Sequence, residues 1–237
     1  MGDKLECIGQ VVRIFATSRS APIVGLYLLL VCLSPLLRRL LPAFQLRRAL
    51  ILHNFVCWIL SVYSLATLVF GLWEVGDIFL MEHTEGWLRH GLFVYWISKF
   101  VELLDTVYMI LRHKSRQISF LHVWHHSTIT LLADWAYTRS SWPALTPILA
   151  LNSAVHVFMY GYYFLTALHP LHDFTWKKRI TQFQMVQFLI GISQAVYGYL
   201  YRGFCIYSIG YGAAMLGLFG NYYYYAFIRK KPQKKEQ

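Results

Sequence analysis

Residues 117–137 read QISFLHVWHHSTITLLADWAY, an apolar stretch that nevertheless contains His122, His125 and His126. About 20 mostly apolar residues are enough for one helix to cross a bilayer. On such a helix, residues three and four positions apart lie on the same face, so the three imidazoles lie together. Ionisable groups within a membrane span are costly and mark functional sites. The stretch therefore predicts a membrane-spanning helix that carries a site.

The composition of the chain indicates an all-α integral membrane protein. Hydrophobic residues make up 57% of its 237 residues and charged residues only 14%, whereas soluble domains contain about 25% charged residues. Helices satisfy their own backbone hydrogen bonds in lipid, which favours the all-α class. The formal net charge of +11 comes from basic clusters between apolar runs, so we attribute it to topology and predict no nucleic-acid partner. The four cysteines have neither metal-ligand nor redox spacing, and no disulfide framework is predicted.

Hydropathy divides the chain into seven candidate membrane spans. Each is long enough to cross the hydrocarbon core, and no linker between them suggests a second domain. We therefore predict one polytopic membrane domain over residues 1–237. The spans cover about 22–41, 50–72, 91–111, 117–137, 143–168, 180–201 and 203–228.

Basic residues occupy every second connection, which predicts the orientation of the chain. Cytosolic loops are enriched in Lys and Arg, so the N-terminus is expected in the lumen and the C-terminus in the cytosol. Lys234 and Lys235, fourth and third from the end, resemble the dilysine retrieval signal of endoplasmic-reticulum membrane proteins; a basic tail against anionic lipid is the alternative. The clusters within the chain are Arg38, Arg39, Arg47 and Arg48; Arg112, Lys114 and Arg116; and Lys177, Lys178 and Arg179.

The third predicted span carries charged residues at helical spacing. Lys99, Glu102 and Thr106 share one helical face, and Asp105 neighbours Glu102. An ion pair between Lys99 and Glu102 could offset the cost of burying both charges, but it does not account for Asp105. We therefore expect these groups to line a polar pocket together with the histidines.

Two further spans carry polar residues with the same three-and-four spacing. A tyrosine stripe alone is typical of packing or of an interfacial belt, but a fourth intramembrane histidine one turn after an asparagine favours a site. A pair of amides three residues apart is also typical of hydrogen bonding between membrane helices. The fifth span contributes Asn152, His156, Met159, Tyr160 and Tyr163, and the sixth contributes Thr181, Gln184 and Gln187.

Taken in order, these motifs resemble those of the ELO family of very-long-chain fatty acid elongases. They are KxxExxDT at 99–106, HxxHH at 122–126, HxxMYxYY at 156–163 and TxxQxxQ at 181–187. The resemblance implies seven helices around a narrow acyl-chain tunnel. It also implies a membrane 3-ketoacyl-CoA synthase, which condenses a long-chain acyl-CoA with malonyl-CoA and releases CO2 and CoA. No permanently bound cofactor or metal is expected, and the implied partners are the bilayer, the reductases and dehydratase of the elongation cycle, and a second copy in a homodimer.

Within this resemblance, the residues suggest a two-step mechanism. No cysteine falls within the motifs, so we predict that an imidazole, that of His125, accepts the acyl group. His126 or His122 would orient or deprotonate it, and His156 with Asn152 would polarise the malonyl thioester. The other motif residues would bind substrate within the pocket. Candidates for the CoA phosphates are Lys99, Arg112, Lys114, Arg116, Lys177, Lys178 and Arg179, each of which could instead serve topology alone.

Two other function classes remain open from the sequence. Histidine boxes of this spacing also occur in membrane di-iron desaturases and hydroxylases, although these use about eight histidines from three boxes. A seven-span receptor or transporter with a polar core is the second alternative. The motifs do not specify the length or unsaturation of the acyl chain. Gln117, five residues before the histidine box, resembles the arrangement in elongases of polyunsaturated chains, or is a polar residue at a helix start.

Overall fold

The computed structural model of the chain describes residues 17–229. Within this range the chain is helical and contains no β-strand. Short 3-10 turns cover Ser115–Gln117 and Pro143–Leu145, and a π-helical turn covers Tyr224–Ile228. The α-helices are α1 (Ala21–Leu40), α2 (Arg47–Val75), α3 (Gly86–Glu102), α4 (Leu104–Leu111), α5 (Phe120–Thr138), α6 (Thr146–Leu168), α7 (Lys177–Tyr201) and α8 (Ile206–Tyr223).

Each of the seven predicted segments is helical. Helical structure alone does not establish how many of them cross the membrane. Within the described part of the chain, three helices are long and apolar enough to cross a membrane: Ala21–Leu40, Arg47–Val75 and Pro143–Leu168. The predicted third span is broken at Leu103 into α3 and α4. Its charged residues and those of the other spans lower the hydropathy. The chain is thus an all-α protein with membrane-spanning helices, and the sevenfold count stays a prediction.

The chain divides after Asp173 into two compact units. In the first, α2 packs against α3 and α6, α3 packs against α5, and α1 lies against α4 and α5. The buried apolar cluster of this unit lies between α2, α3, α5 and α6. It comprises Leu68, Leu88, Leu92, Tyr95, Ala133, Ala136 and Ala150.

Glycine lets α2 and α3 approach each other closely. A Cβ atom at Gly71 would meet the backbone of Leu88, and one at Gly91 would lie 3.0 Å from the backbone nitrogen of Leu68. Small residues at such crossings allow helices in a membrane to gain van der Waals contact. The approach fixes the first turns of α3 against α2.

Hydrogen bonds between connections fix both ends of the first unit. At one end, the guanidinium of Arg47 donates to the carbonyl oxygens of Ala167 and Leu168, both at 3.0 Å, and so caps the C-terminus of α6. At the other end, the amide and the hydroxyl of Thr84 donate to the carbonyl of Ser141 at 3.0 and 2.9 Å. Arg47 therefore has a structural role in addition to its predicted role in orientation.

The start of α1 is held by a buried carboxylate on α5. Asp134 is 1% exposed and accepts hydrogen bonds from the hydroxyl of Ser18 at 2.7 Å and from the amide of Arg19 at 2.9 Å. These bonds satisfy polar groups where the chain enters the helix. The sequence shows an acid inside an apolar run but does not indicate its partner.

The second unit is an antiparallel hairpin of α7 and α8. Gly203 adopts a positive φ of 75° in the turn, a conformation that favours glycine. Gly198 leaves room for the ring of Phe204, and Gln182 donates to the hydroxyl of Tyr223 at 3.0 Å. Cys205 is disulfide-bonded, so the expectation from spacing is wrong there, because sequence spacing does not report spatial proximity. Cys32 and Cys57 are free thiols, and Cys7 lies outside the described residues.

The close crossing of α2 and α3 generates a stability prediction. Replacing Gly71 by Ala forces the two backbones apart, and we expect a loss of about 1–3 kcal/mol of unfolding free energy. Gly25→Ala is the matched control, because no atom lies within 4 Å of the added Cβ on the exposed side of α1. Thermal unfolding in detergent measures both. Equal melting temperatures for the two variants would contradict the close approach.

Candidate active site

The break between α3 and α4 distributes four charged or polar residues to different neighbours. α3 ends at Glu102 and α4 begins at Leu104, with Leu103 between them. The amide of Thr106 donates to the carbonyl of Leu103 at 3.2 Å, which closes the first turn of the second helix. Lys99 and Glu102 therefore lie on one helix, and Asp105 and Thr106 begin the next. Three small hydrogen-bonded clusters follow from this division.

The first cluster contains the predicted ion pair. Nζ of Lys99 donates to Oε1 of Glu102 at 2.7 Å, and the two side chains are 2% and 1% exposed. Nδ1 of His156 lies 3.2 Å from the same oxygen. The carboxylate can only accept, so Nδ1 carries the proton and Nε2 points elsewhere. Oδ1 of Asn152 accepts from the hydroxyl of Tyr95 at 2.8 Å and from Lys99 at 3.4 Å.

The second cluster surrounds Asp105. Its Oδ2 accepts from the hydroxyl of Tyr160 at 2.7 Å, and its Oδ1 lies 2.9 Å from Nε2 of His53. Tyr160 is fully buried and His53 is 6% exposed. Asp105 and Tyr160 are both predicted pocket residues, and the structure joins them directly. No motif of the sequence includes His53, which lies 52 positions before its partner.

The third cluster contains the first histidine of the box. Oγ1 of Thr106 lies 2.7 Å from Nε2 of His122 and 3.2 Å from the hydroxyl of Tyr27. Both Thr106 and Tyr27 are buried. The sequence gave no indication of Tyr27, since it lies in the first helix among ordinary apolar residues.

The three histidines of α5 lie together as the helical spacing predicted. Ser119 caps the helix by accepting from the amide of His122 at 3.2 Å. The ring of His126 lies 4.4 Å from that of His122 and 5.6 Å from that of His125. His126 is 7% exposed, and the other two are half-buried. His125 interacts electrostatically with His156, Lys99 and Glu102, which joins the box to the first cluster.

Two buried polar atoms of the site have no hydrogen-bond partner among the described residues. They are Oε2 of Glu102 and Nδ1 of His126. Buried polar atoms are nearly always satisfied, so these two atoms, one in the first cluster and one in the histidine box, indicate capacity for a polar ligand. Over residues 17–229, no three His, Cys, Asp or Glu side chains are arranged to hold a metal ion.

The remaining predicted residues lie further from these clusters or in the second unit. Met159 is half-buried on α6, and Tyr163 is 41% exposed with its ring 6.0 Å from that of Tyr160. Thr181 and Gln187 are buried within the second unit, where Gln184 is half-buried. The basic candidates lie in the connection after α4 (Arg112, Lys114 and Arg116) and at the start of α7 (Lys177, Lys178 and Arg179). Lys234 and Lys235 lie outside the described residues.

A cysteine also lies next to the site, although none falls within the motifs. Sγ of Cys57 is 3.7 Å from Nε2 of His53, and the residue is 2% exposed. The thiolate, not the thiol, is the reactive form of this side chain. The position of Cys57 could not be read from the sequence, because the second span carries none of the motifs.

Comparison with known proteins agrees with the motifs. The very long chain fatty acid elongase 5 of Rattus norvegicus is 32% identical over 229 residues, which cover 90% of this chain and 75% of the relative. Elongase 2 of Mus musculus is 35% identical over 211 residues, with 82% and 70% covered. Elongase 7 of Rattus norvegicus is 35% identical over 225 residues, with 87% and 80% covered.

A family profile extends this similarity over nearly the whole chain. The profile described as the GNS1/SUR4 family matches residues 17–235, and thus includes all four motifs and most of both structural units. Each of the three relatives is matched over more than two thirds of its own length. The chain therefore belongs to the ELO (GNS1/SUR4) family.

Proposed function

We propose that this chain is a membrane-bound elongase that condenses a long-chain acyl-CoA with malonyl-CoA to give a 3-ketoacyl-CoA, CO2 and CoA. The observation that carries the proposal is the meeting of four imidazoles with a buried Lys99–Glu102 pair on α3, α5 and α6. Imidazole can serve as a nucleophile and as a general acid or base. The names of the relatives, very long chain fatty acid elongases, support the same reaction class.

In the first step, a neutral imidazole nitrogen of His125 attacks the thioester carbonyl. A C–N bond forms, the C–S bond breaks, and CoA leaves as the thiolate. The ring proton of the acyl-imidazolium then passes to the thiolate, which departs as CoA thiol. His126, whose ring lies 5.6 Å away, would orient the acceptor or relay this proton, with His122 held by Thr106 behind it.

In the second step, malonyl-CoA loses CO2, and the C–C bond electrons form a thioester enolate. The enolate carbon attacks the acyl-imidazole, and the released imidazole nitrogen takes one proton, which the overall reaction consumes. His156, oriented by Glu102 at 3.2 Å, would polarise the thioester oxygen through Nε2 when both ring nitrogens carry a proton. Asn152 would hold Lys99 in place through the contact of 3.4 Å.

The remaining predictions place the rest of the substrate. The acyl chain would run in a narrow tunnel, lined within the first unit in part by Met159, Tyr160 and Tyr163. Exclusion of water from such a tunnel protects the enolate from protonation. The basic connections at 112–116 and 177–179 would meet the CoA phosphates. The half-buried and exposed positions of Arg112 and Arg116 are compatible with this role.

The location follows from the distribution of charge. We propose the endoplasmic-reticulum membrane, with the N-terminus lumenal, the C-terminus cytosolic and Lys234 and Lys235 as retrieval signal. The other enzymes of the elongation cycle and a second copy of the chain would be its partners. Gln117, exposed in the 3-10 turn before α5, keeps polyunsaturated chains among the candidate substrates.

The two-step scheme predicts release of CoA in the absence of malonyl-CoA. Purified protein incubated with a long-chain acyl-CoA alone should release about one CoA per active site, because the acyl group moves to His125. Thiol titration measures the release, and peptide mass spectrometry maps the adduct. Absence of the release in protein that elongates, or an adduct on Cys57, would contradict the scheme.

Removal of single imidazoles tests the centre itself. His125→Ala and His126→Ala should each lower two-carbon extension by about 100-fold or more, because nucleophile and acid–base groups contribute at least that much. His83→Ala is the control, since His83 is exposed in the loop before α3. Fatty-acid profiles of cells lacking their own elongases, fed saturated or polyunsaturated acids, give the measurement. Unchanged extension by correctly inserted His125→Ala protein would refute the proposal. A receptor or transporter predicts that result, because neither carries out the extension.

The seven-span topology predicts which connections face the lumen. An N-glycosylation tag inserted at residues 76–85 or at 203–204 should be glycosylated in microsomes, whereas the same tag at 113–116 should not. Glycosidase-sensitive gel shifts report the result. Glycosylation at 113–116 would contradict the predicted orientation, and glycosylation at only one of the two expected sites would contradict the count of seven spans.

A further inference from the structure

We propose that His53 is a positioning residue of this condensation site, which holds Asp105 and, through it, Tyr160 and the first turn of α4. The inference rests on the proposed function. His53 lies on α2, outside every motif of the chain, and reaches Asp105 with an Nε2–Oδ1 distance of 2.9 Å. The motifs of the first unit lie on α3 to α6, so His53 brings α2 into the site as well.

The geometry fixes the tautomer of His53. An ionised carboxylate has no proton to donate, so Nε2 of His53 donates and must carry the proton. The hydroxyl of Tyr160 donates to the other oxygen at 2.7 Å. The carboxylate of Asp105 therefore accepts one hydrogen bond at each oxygen, from His53 on α2 and from Tyr160 on α6.

The hydrogen bond from His53 matters because both side chains are buried. The side chains of His53 and Asp105 are 4% and 13% exposed. A carboxylate in such surroundings is strongly destabilised when it loses a donor. Without His53, Asp105 would have to rotate toward water or other donors, and its contact with Tyr160 would move with it.

Asp105 is connected to the reacting groups in two ways. The ring of Tyr160 lies 5.7 Å from that of His156, so a shift of the phenol would displace the imidazole that would polarise the thioester. Asp105 also precedes Thr106, which holds Nε2 of His122 at 2.7 Å. Displacement of this turn by a fraction of an ångström would therefore disturb both sides of the centre.

The surroundings of His53 argue for positioning and against direct catalysis. Its ring packs at 5.1 Å against that of Tyr108, and Sγ of Cys57 lies 3.7 Å from Nε2. These contacts, with that of Asp105, enclose the imidazole. A purely structural alternative exists, since buried polar pairs also join membrane helices. The experiment must separate the two roles.

Three substitutions differ in whether they can donate to Asp105. His53→Gln places an amide N–H near the position of Nε2, His53→Asn places it near Nδ1, out of reach of the carboxylate, and His53→Leu removes it. Ser64→Ala is the matched control, because Ser64 forms a buried hydrogen bond of 3.2 Å from α2 to Ser153 on α6 and does not contact Asp105. For each purified variant, kcat and KM for both substrates and the melting temperature in detergent are measured.

We expect His53→Gln to keep kcat within about threefold of the original, and His53→Asn and His53→Leu to lose about tenfold or more with KM little changed. Ser64→Ala should lower the melting temperature without this loss of kcat. Equal kcat for the Gln and Asn variants, or losses that only follow the melting temperature, would overturn the inference and leave the proposed function intact. An unmodified protein that forms no 3-ketoacyl-CoA would overturn both.

Discussion

The contact of 2.7 Å between Lys99 and Glu102 sets the conditions for the rest of the first unit. Both side chains are almost fully buried in a chain rich in membrane-spanning helix. Removing either partner would leave an uncompensated charge in a medium that cannot hydrate it. The pair must therefore be surrounded by further donors and acceptors. His156 and Asn152 on α6 and Tyr95 on α3 supply them, and this requirement holds α3 against α6.

The break at Leu103 extends the same principle to the residues that follow. On one continuous helix, Lys99, Glu102 and Thr106 would share a single face. The new start at Leu104 instead directs Asp105 to partners on α2 and α6, and Thr106 to partners on α1 and α5. Each of the first six helices is thus tied to the site by at least one side chain. In a membrane, where helices gain little from the hydrophobic effect, such polar contacts contribute to specifying which helices are neighbours.

Helical periodicity accounts for what could be predicted from the sequence. It brought together His122, His125 and His126, and it paired Lys99 with Glu102, because these relations lie within one helix. Contacts between helices far apart in sequence could not be predicted in this way. His53 and Tyr27 find their partners 52 and 79 positions away, and Asp134 holds the start of α1 from a distance of 116 positions. A histidine followed by an asparagine within the apolar run of α2 was the one available signal for His53. The close approach at Gly71 and the disulfide at Cys205 depend equally on tertiary packing.

The arrangement also explains why the proposed chemistry uses imidazole although a thiol lies next to the site. A thiol reacts as the thiolate, and the enclosed position of Cys57 would leave that anion without water. A neutral imidazole attacks without first becoming charged, and the positive charge that develops on His125 lies near the carboxylate of Glu102. A site dry enough to protect an enolate disfavours an anionic nucleophile more than a neutral one. The same exclusion of water that the condensation requires therefore selects histidine over cysteine as the proposed acyl carrier.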